Sequence, residues 1–227
     1  MTPETMEKVI DKDAEVGAHI YSRWLLRVYD FCVLGIVSSY AWCCSTKKVL
    51  LPFFRENIGQ NHLDIGVGTG YYLANANVPK NVRVTLLDLN ENSLDSARAR
   101  FGREDAILVK HDVFKPLPTD EQYDSMSLFY LLHCLPGPLS RKTAIFSHLK
   151  RNLKPDGVLY GATILGKGVP YNWFARFIRR QGNKEGVFDN YDDNKEEIVA
   201  ALEQHFEEVG AKVVGTILMF KSRRPKL

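Results

Sequence analysis

The twelve residues from His62 to Leu73, H-L-D-I-G-V-G-T-G-Y-Y-L, decide how the rest of the chain is read. A short apolar run ends at Asp64, glycines follow at alternate positions (Gly66, Gly68, Gly70), and an apolar segment then begins. That pattern is a strand, a tight turn and a helix start. Glycine admits positive φ and lets a ligand approach where a Cβ would block it, and a helix start offers unpaired N–H groups. The stretch therefore reads as a binding loop for a polar small molecule.

Working outward, Tyr71 to Asn77 is expected to be a short helix and Arg83 to Asp88, R-V-T-L-L-D, a second strand. The next helix is marked at both ends. Asn90 caps it, Glu91 and Asp95 lie in its early turns, Arg98 and Arg100 in its last, and Gly102 follows, all in accord with the helix dipole. Ala106 to Asp112 reads as a third strand and Tyr123 to Tyr130 as a fourth. A helix over Leu139 to Leu153 and a K-P-D-G turn (Lys154 to Gly157) lead to a fifth, Val158 to Leu165. Strands alternating with helices imply a parallel sheet built by right-handed crossovers.

Asp193 is expected to cap a helix from Asn194 to about His205, with Glu196 completing a capping box. The last runs, Val209 to Val214 and Thr216 to Phe220, meet at a turn at Gly215, too short for a parallel crossover, so they should pair antiparallel. The expected fold is α/β: a doubly wound, seven-stranded, mostly parallel sheet with an antiparallel last strand, in a single domain over residues 1–227. Residues 1–58 form a helical N-terminal cap, 59–227 the core, and 166–192 an inserted lid carrying Tyr171, Trp173, Phe174 and Phe177.

A chain of 227 residues suits one such domain, which buries about 70% of the surface its unfolded form exposes. A net charge of +3 with 25% charged residues shows no basic face dense enough for nucleic acid. Four cysteines (Cys32, Cys43, Cys44, Cys134) lack both the density of a disulfide scaffold and a C-x-x-C spacing, so neither a disulfide nor a metal is expected. The polar start, Met1 to Asp13, is unlike a secretory signal, and a cytoplasmic location is expected. The most hydrophobic window, Phe31 to Cys44, holds 14 residues, short of the roughly 18 a spanning helix needs, so no stable membrane insertion is expected.

The residues around the glycine loop narrow its ligand. Asp88 ends the second strand 18 residues after Gly70, where a carboxylate accepts from both ribose hydroxyls of a nucleoside. Asp112 ends the third strand likewise, where its carboxylate can accept from an adenine amino group while Val113 offers a backbone N–H. The dinucleotide fingerprint G-x-G-x-x-G fails, because the sixth position is Tyr71 counted from Gly66 and Leu73 counted from Gly68. No Gly-Lys-Ser/Thr follows, so the phosphate-binding P-loop fails too. A nucleoside without a pyrophosphate fits better.

With D-I-G-V-G-T-G (Asp64 to Gly70), Asp88, Asp112 and the terminal hairpin together, residues 60 to 222 resemble a class I S-adenosylmethionine-dependent methyltransferase. The resemblance implies that the glycine loop and Asp64 meet the methionine part of S-adenosyl-L-methionine. Asp88 then takes the ribose, Leu89 flanks the adenine, and Leu128 and Phe129 pass beside the methyl donor. Phe129 stands where a polar residue is common in the family. The fourth strand continues L-F-Y-L-L-H (Leu128 to His133), without the D/N-P-P-Y/F of enzymes that methylate nucleic-acid bases, and the pair of loop glutamates of protein-arginine enzymes is missing. What remains is similar to ubiquinone-pathway and natural-product enzymes, which implies a small-molecule acceptor, with oxygen favoured.

His133, just past the fourth strand, reads either as a base for the acceptor hydroxyl or as a ring held within its turn. Tyr29, Trp42, Trp173 and Tyr191 are candidate substrate contacts, with core packing as the competing reading. Two other uses of the cofactor stay open: a rearrangement without methyl transfer, and a non-catalytic regulator. A homodimer is compatible with the sequence.

Overall fold

The computed structural model describes residues 38–226. Seven strands form one sheet: β1 (Asn61–Ile65), β2 (Arg83–Asp88), β3 (Ile107–Lys110), β4 (Tyr123–Phe129), β5 (Leu153–Ile164), β6 (Phe206–Val214) and β7 (Ile217–Pro225). Their order is β3-β2-β1-β4-β5-β7-β6. β1 to β5 pair in parallel, and β7 runs antiparallel to both β5 and β6. The antiparallel pairing expected for the last two runs follows from the short turn that joins them, with Val214 opposite Ile217.

Among the described residues, a short turn of helix at Ser38–Tyr40 and a π-helical turn at Thr46–Leu50 precede seven α-helices: α1 (Leu51–Glu56), α2 (Tyr71–Asn75), α3 (Glu91–Phe101), α4 (Leu139–Thr143), α5 (Ile145–Leu149), α6 (Trp173–Lys184) and α7 (Lys195–His205). α3 begins and ends as its sequence dictates. The Asn90 side chain accepts from the Asn92 N–H, and Gly102 closes the helix with its N–H on the Arg98 carbonyl.

Several boundaries differ from expectation, and three of them bear on how the elements pack. The single helix expected over Leu139 to Leu153 divides into α4, α5 and a 3-10 turn at Lys150–Asn152. The K-P-D-G segment lies inside β5, whose Leu153 already pairs with Tyr123. A register shift between Tyr123 and Ser125 absorbs the extra residues. The cap of α7 is Asn194, which accepts from the Glu197 N–H at 2.9 Å and donates to the Glu197 carboxylate at 2.8 Å. Asp193, expected in that place, is instead buried against Lys142.

Alternate side chains of each strand feed two cores. One face carries Val84, Leu86, Phe129, Tyr160 and Ala162 against Phe54 and Tyr72; the other carries Leu63, Ile65, Met126, Leu128 and Leu159 against Phe146 and Phe220. Both faces are covered, as a parallel sheet requires. Of the expected N-terminal cap, residues 38–58 are described. They are stitched to the β6–β7 turn, where the Thr216 N–H donates to the Trp42 carbonyl at 2.9 Å. Tyr29 lies outside the described residues, as does half of the hydrophobic window over 31–44. Among the described residues no helix is long and apolar enough to cross a membrane.

Candidate active site

β1 and β4 are neighbours in the sheet, and connections from them leave toward opposite edges. In open α/β sheets ligands bind at the carboxyl ends of the strands beside such a switch point. The glycine turn leaves β1 there. Two of its glycines are required for different reasons. Gly70 has φ +69°, and a Cβ built on it would lie 2.7 Å from Ala97 Cα, so its lack of a side chain lets the start of α2 approach α3. Gly68 has φ +51°, yet a Cβ there would meet nothing within 4 Å. The turn is therefore open at Gly68, where a ligand can come against the backbone. Gly66 packs on Leu131, and its N–H donates to the Leu87 carbonyl at 2.8 Å.

Two carboxylates flank that opening. Asp88, at the end of β2, accepts from the Asn90 N–H at 2.9 Å and, more weakly, from the Gly68 N–H at 3.4 Å. Burial pushes its pKa up to about 6 against these hydrogen bonds, which pull it down. Asp64, near the end of β1, is raised further, to about 7. Burial is the main cause, the Ser127 hydroxyl lowers it, and the charge of Asp88 raises it. Two carboxylates that resist ionisation side by side make a site that favours a cation between or beside them. Asp112 follows β3, where its Oδ1 accepts from the Phe114 N–H at 3.0 Å in a local turn. Leu89 is half-buried after Asp88, Val113 is buried in the Phe146-side core, and among the described residues no cluster of three or more His, Cys, Asp or Glu could hold a metal.

Comparison with known proteins fits this arrangement. The methyltransferase-domain family matches residues 63–159. A physcion biosynthesis cluster O-methyltransferase of Aspergillus chevalieri is 51% identical over 215 residues, spanning 94% of this chain and 97% of its own. The chain belongs to the class I S-adenosylmethionine-dependent methyltransferases. The N-methyltransferase vrtF of Penicillium aethiopicum is 50% identical over 209 residues, covering 92% of this chain and 88% of its own. Among solved structures, the DhpI complex with S-adenosylhomocysteine superposes with a TM-score of 0.64 at 19% identity, over 93% of this chain and 96% of that one.

On the fourth-strand side of this methyltransferase, Phe129 joins an aromatic group. Its ring lies 4.6 Å from Tyr72, 5.0 Å from Phe54 and 5.8 Å from Tyr160. Leu128 points to the opposite core. Tyr130 then takes φ +59°, a strained value for a tyrosine, and turns the chain into the 3-10 turn Leu132–Cys134. His133 in that turn is fully buried, edge-on to Phe188 at 5.1 Å and Tyr130 at 5.6 Å. Its Nδ1 lies 3.3 Å from Thr163 Oγ1 and accepts weakly from the Ile164 N–H at 3.5 Å, which places the proton on Nε2. Nε2 meets no hydrogen-bond partner among the described residues, and burial, aided by Lys142, lowers the ring's pKa to about 3.

The candidate substrate contacts separate. Trp42 is buried edge-on to Tyr171 and Phe188, at 6.4 and 6.3 Å. Trp173 faces solvent on α6 with 73% of its surface exposed, and Tyr191 is 46% exposed, 5.2 Å from the Arg179 guanidinium. The structure thus brings Trp42 and His133 to a common neighbour, Phe188, and leaves Trp173 apart.

Two groups of residues escaped the sequence reading. One is His62, Ser125 and Ser127, on the same sheet face as Asp64 and flanked by Tyr160; the signal was polar residues at alternate positions of otherwise apolar strands. The other is Lys142 with Asp193, both fully or almost fully buried and 2.9 Å apart. Lys142 also donates to the Asp189 carbonyl, and the Asp189 N–H donates to the His133 carbonyl at 2.9 Å. These bonds hold the end of the 166–192 segment against the turn that carries His133.

Proposed function

We propose that this methyltransferase transfers a methyl group from S-adenosyl-L-methionine to an oxygen of a small, largely hydrophobic molecule. The full-length likeness to the physcion-cluster O-methyltransferase carries the choice of acceptor atom. The open backbone at Gly68 between Asp64 and Asp88 supports the cofactor seat. Asp64 faces the methionine amino group, Asp88 the ribose, and Asp112 with Val113 the adenine. When bound, the sulfonium supplies an activated methyl group.

The protein's share is then positioning and exclusion of water, and holding reactants in line is worth up to roughly 7 to 11 kcal/mol. The aromatic group of Phe54, Tyr72, Phe129 and Tyr160 keeps one side of the seat dry. His133 enters this reading as a hydrogen-bond donor through Nε2 rather than as a base, because a ring whose pKa lies near 3 takes up a proton weakly at neutral pH. A nitrogen acceptor is the second reading, favoured by the 50% identity to vrtF.

The test is incubation with methyl-labelled S-adenosylmethionine and separate panels of phenols, enols and secondary amines, read by mass spectrometry. Label on oxygen with release of S-adenosylhomocysteine is the expected outcome. Label on nitrogen alone selects the second reading, and cofactor binding with no labelled product from any panel overturns both.

A further inference from the structure

One face of β1 and β4 carries a ladder of polar side chains inside an otherwise apolar core. His62 pairs with Ser125 and Asp64 with Ser127 across the parallel register, and all four are buried. Unpaired polar groups at such depth are costly, so where their hydrogens point can be worked out. Ser127 Oγ lies 2.5 Å from Asp64 Oδ1 and must donate to it if the carboxylate is ionised. Having used its proton, Ser127 Oγ accepts at its other contact, so His62 Nε2, 3.2 Å away, carries a hydrogen and donates.

The ring lies between two hydroxyls and burial lowers its pKa to about 3, so it is neutral and His62 Nδ1 is bare. It accepts from Ser125 Oγ at 2.7 Å. Ser125 Oγ in turn accepts from the Gly59 N–H at 2.7 Å. One direction satisfies every contact: Gly59 N–H to Ser125, Ser125 to His62, His62 to Ser127, Ser127 to Asp64. Each donor points toward the Asp64 carboxylate. Its Oδ1 is held, while Oδ2 takes no hydrogen bond from the described residues.

We infer that Ser127 and His62 are positioning residues that lock Asp64 Oδ1 and so present Oδ2 to the methionine ammonium of the methyl donor. The inference rests on the donor seat described above. Ser127 supplies the hydrogen bond that favours the ionised carboxylate, and His62 fixes the direction of the Ser127 hydroxyl by occupying its acceptor side. The ring itself is clamped, 5.8 Å from Phe54 and 6.2 Å from Tyr160, so the relay has one orientation. Neither residue touches the reacting methyl.

The test compares two ligands by calorimetry: S-adenosylmethionine, and methylthioadenosine, which lacks the amino-acid part. Ser127→Ala should weaken S-adenosylmethionine roughly 10- to 100-fold, the usual worth of a hydrogen bond to a charged group, and change methylthioadenosine less than about 3-fold. His62→Phe should weaken S-adenosylmethionine in the same selective way, and His62→Gln, which keeps a donor for Ser127, should restore much of it.

If the wild-type protein binds neither ligand, the donor seat is wrong and the inference falls with it. If the wild type binds both, but Ser127→Ala and His62→Phe lose the two ligands equally or lose neither, the seat stands and the positioning role is overturned. Should Ser127→Ala fail to fold, the selectivity of the two His62 variants decides alone.

Discussion

Gly68 and Gly70 share a turn and a left-handed backbone, yet alanine at each should fail for a different reason. At Gly68, φ is +51° and nothing lies within 4 Å of an added methyl, so the stability cost reduces to left-handed strain, about 1–2 kcal/mol. At Gly70, φ is +69° and the methyl would sit 2.7 Å from Ala97 Cα and 2.9 Å from both Ala97 Cβ and its carbonyl oxygen. Backbone atoms cannot swing aside, so overpacking of about 1–3 kcal/mol adds to the strain, giving about 2–5 kcal/mol in all. Binding should separate them the other way. The methyl of Gly68→Ala projects into the space assigned to the donor and should weaken S-adenosylmethionine roughly 5- to 100-fold, by the same overpacking now placed at the ligand. Urea unfolding followed by tryptophan fluorescence gives the first quantity and calorimetry the second. Wild-type affinity in Gly68→Ala would refute the placement of the donor, and equal loss of stability in the two variants would refute the steric reasoning.

Asp64 carries a pKa raised to about 7 with Asp88 across the turn, Ser127 on the neighbouring β4, Tyr160 on β5 beyond it and a neutral His62 beside it, so S-adenosylmethionine affinity should fall as pH drops below about 7. Calorimetry from pH 8.5 to 5.5 checks this, and a flat profile would remove the Asp64–ammonium contact. The sign for stability without ligand is opposite: a raised carboxyl pKa favours the folded state at acid pH, and that contribution is lost as pH rises from about 4 through about 7. Lys142→Met leaves the buried Asp193 carboxylate without its cation and should cost about 3–5 kcal/mol in urea unfolding, whereas adding Asp193→Leu should recover most of the loss. Asn194→Ala should cost about 1 kcal/mol, and Asp193→Ala tested beside it should cost more, because Asp193 is not the cap.

How far the chain could be read depended on whether the deciding contact was local. The glycine turn, the caps of α3 and the antiparallel last pair were legible because a few adjacent residues settle each of them. Asp193 and Asn194 show the limit: both can cap a helix, and only the position of Lys142, 51 residues away in sequence, says which one does. The K-P-D-G segment was read as a turn on local chemistry, yet Leu153 pairs with Tyr123 and draws the segment into β5. His133 lies in the turn just past β4, but its burial and the hydrogen on Nε2 come from Thr163, Ile164 and Phe188, which no spacing rule brings to it.

The unequal faces of the sheet connect these observations. Toward Phe146 and Phe220, β1 and β4 contribute Leu63, Ile65, Met126 and Leu128, an apolar surface that suits a face whose task is packing. On the other face the same strands interrupt their apolar pattern at His62, Asp64, Ser125 and Ser127, and nowhere else along β1 and β4 is a polar side chain fully buried. Such a ladder offers less hydrophobic gain than leucine and valine would, so packing alone does not account for it. Its members pair strand to strand, its donors run one way, and it ends at the carboxylate beside the open turn at Gly68. A parallel sheet hides the middle of each strand from water, and ligands bind at the carboxyl ends. A polar chain through that hidden region can therefore set the orientation of an end group that solvent would otherwise leave free to rotate.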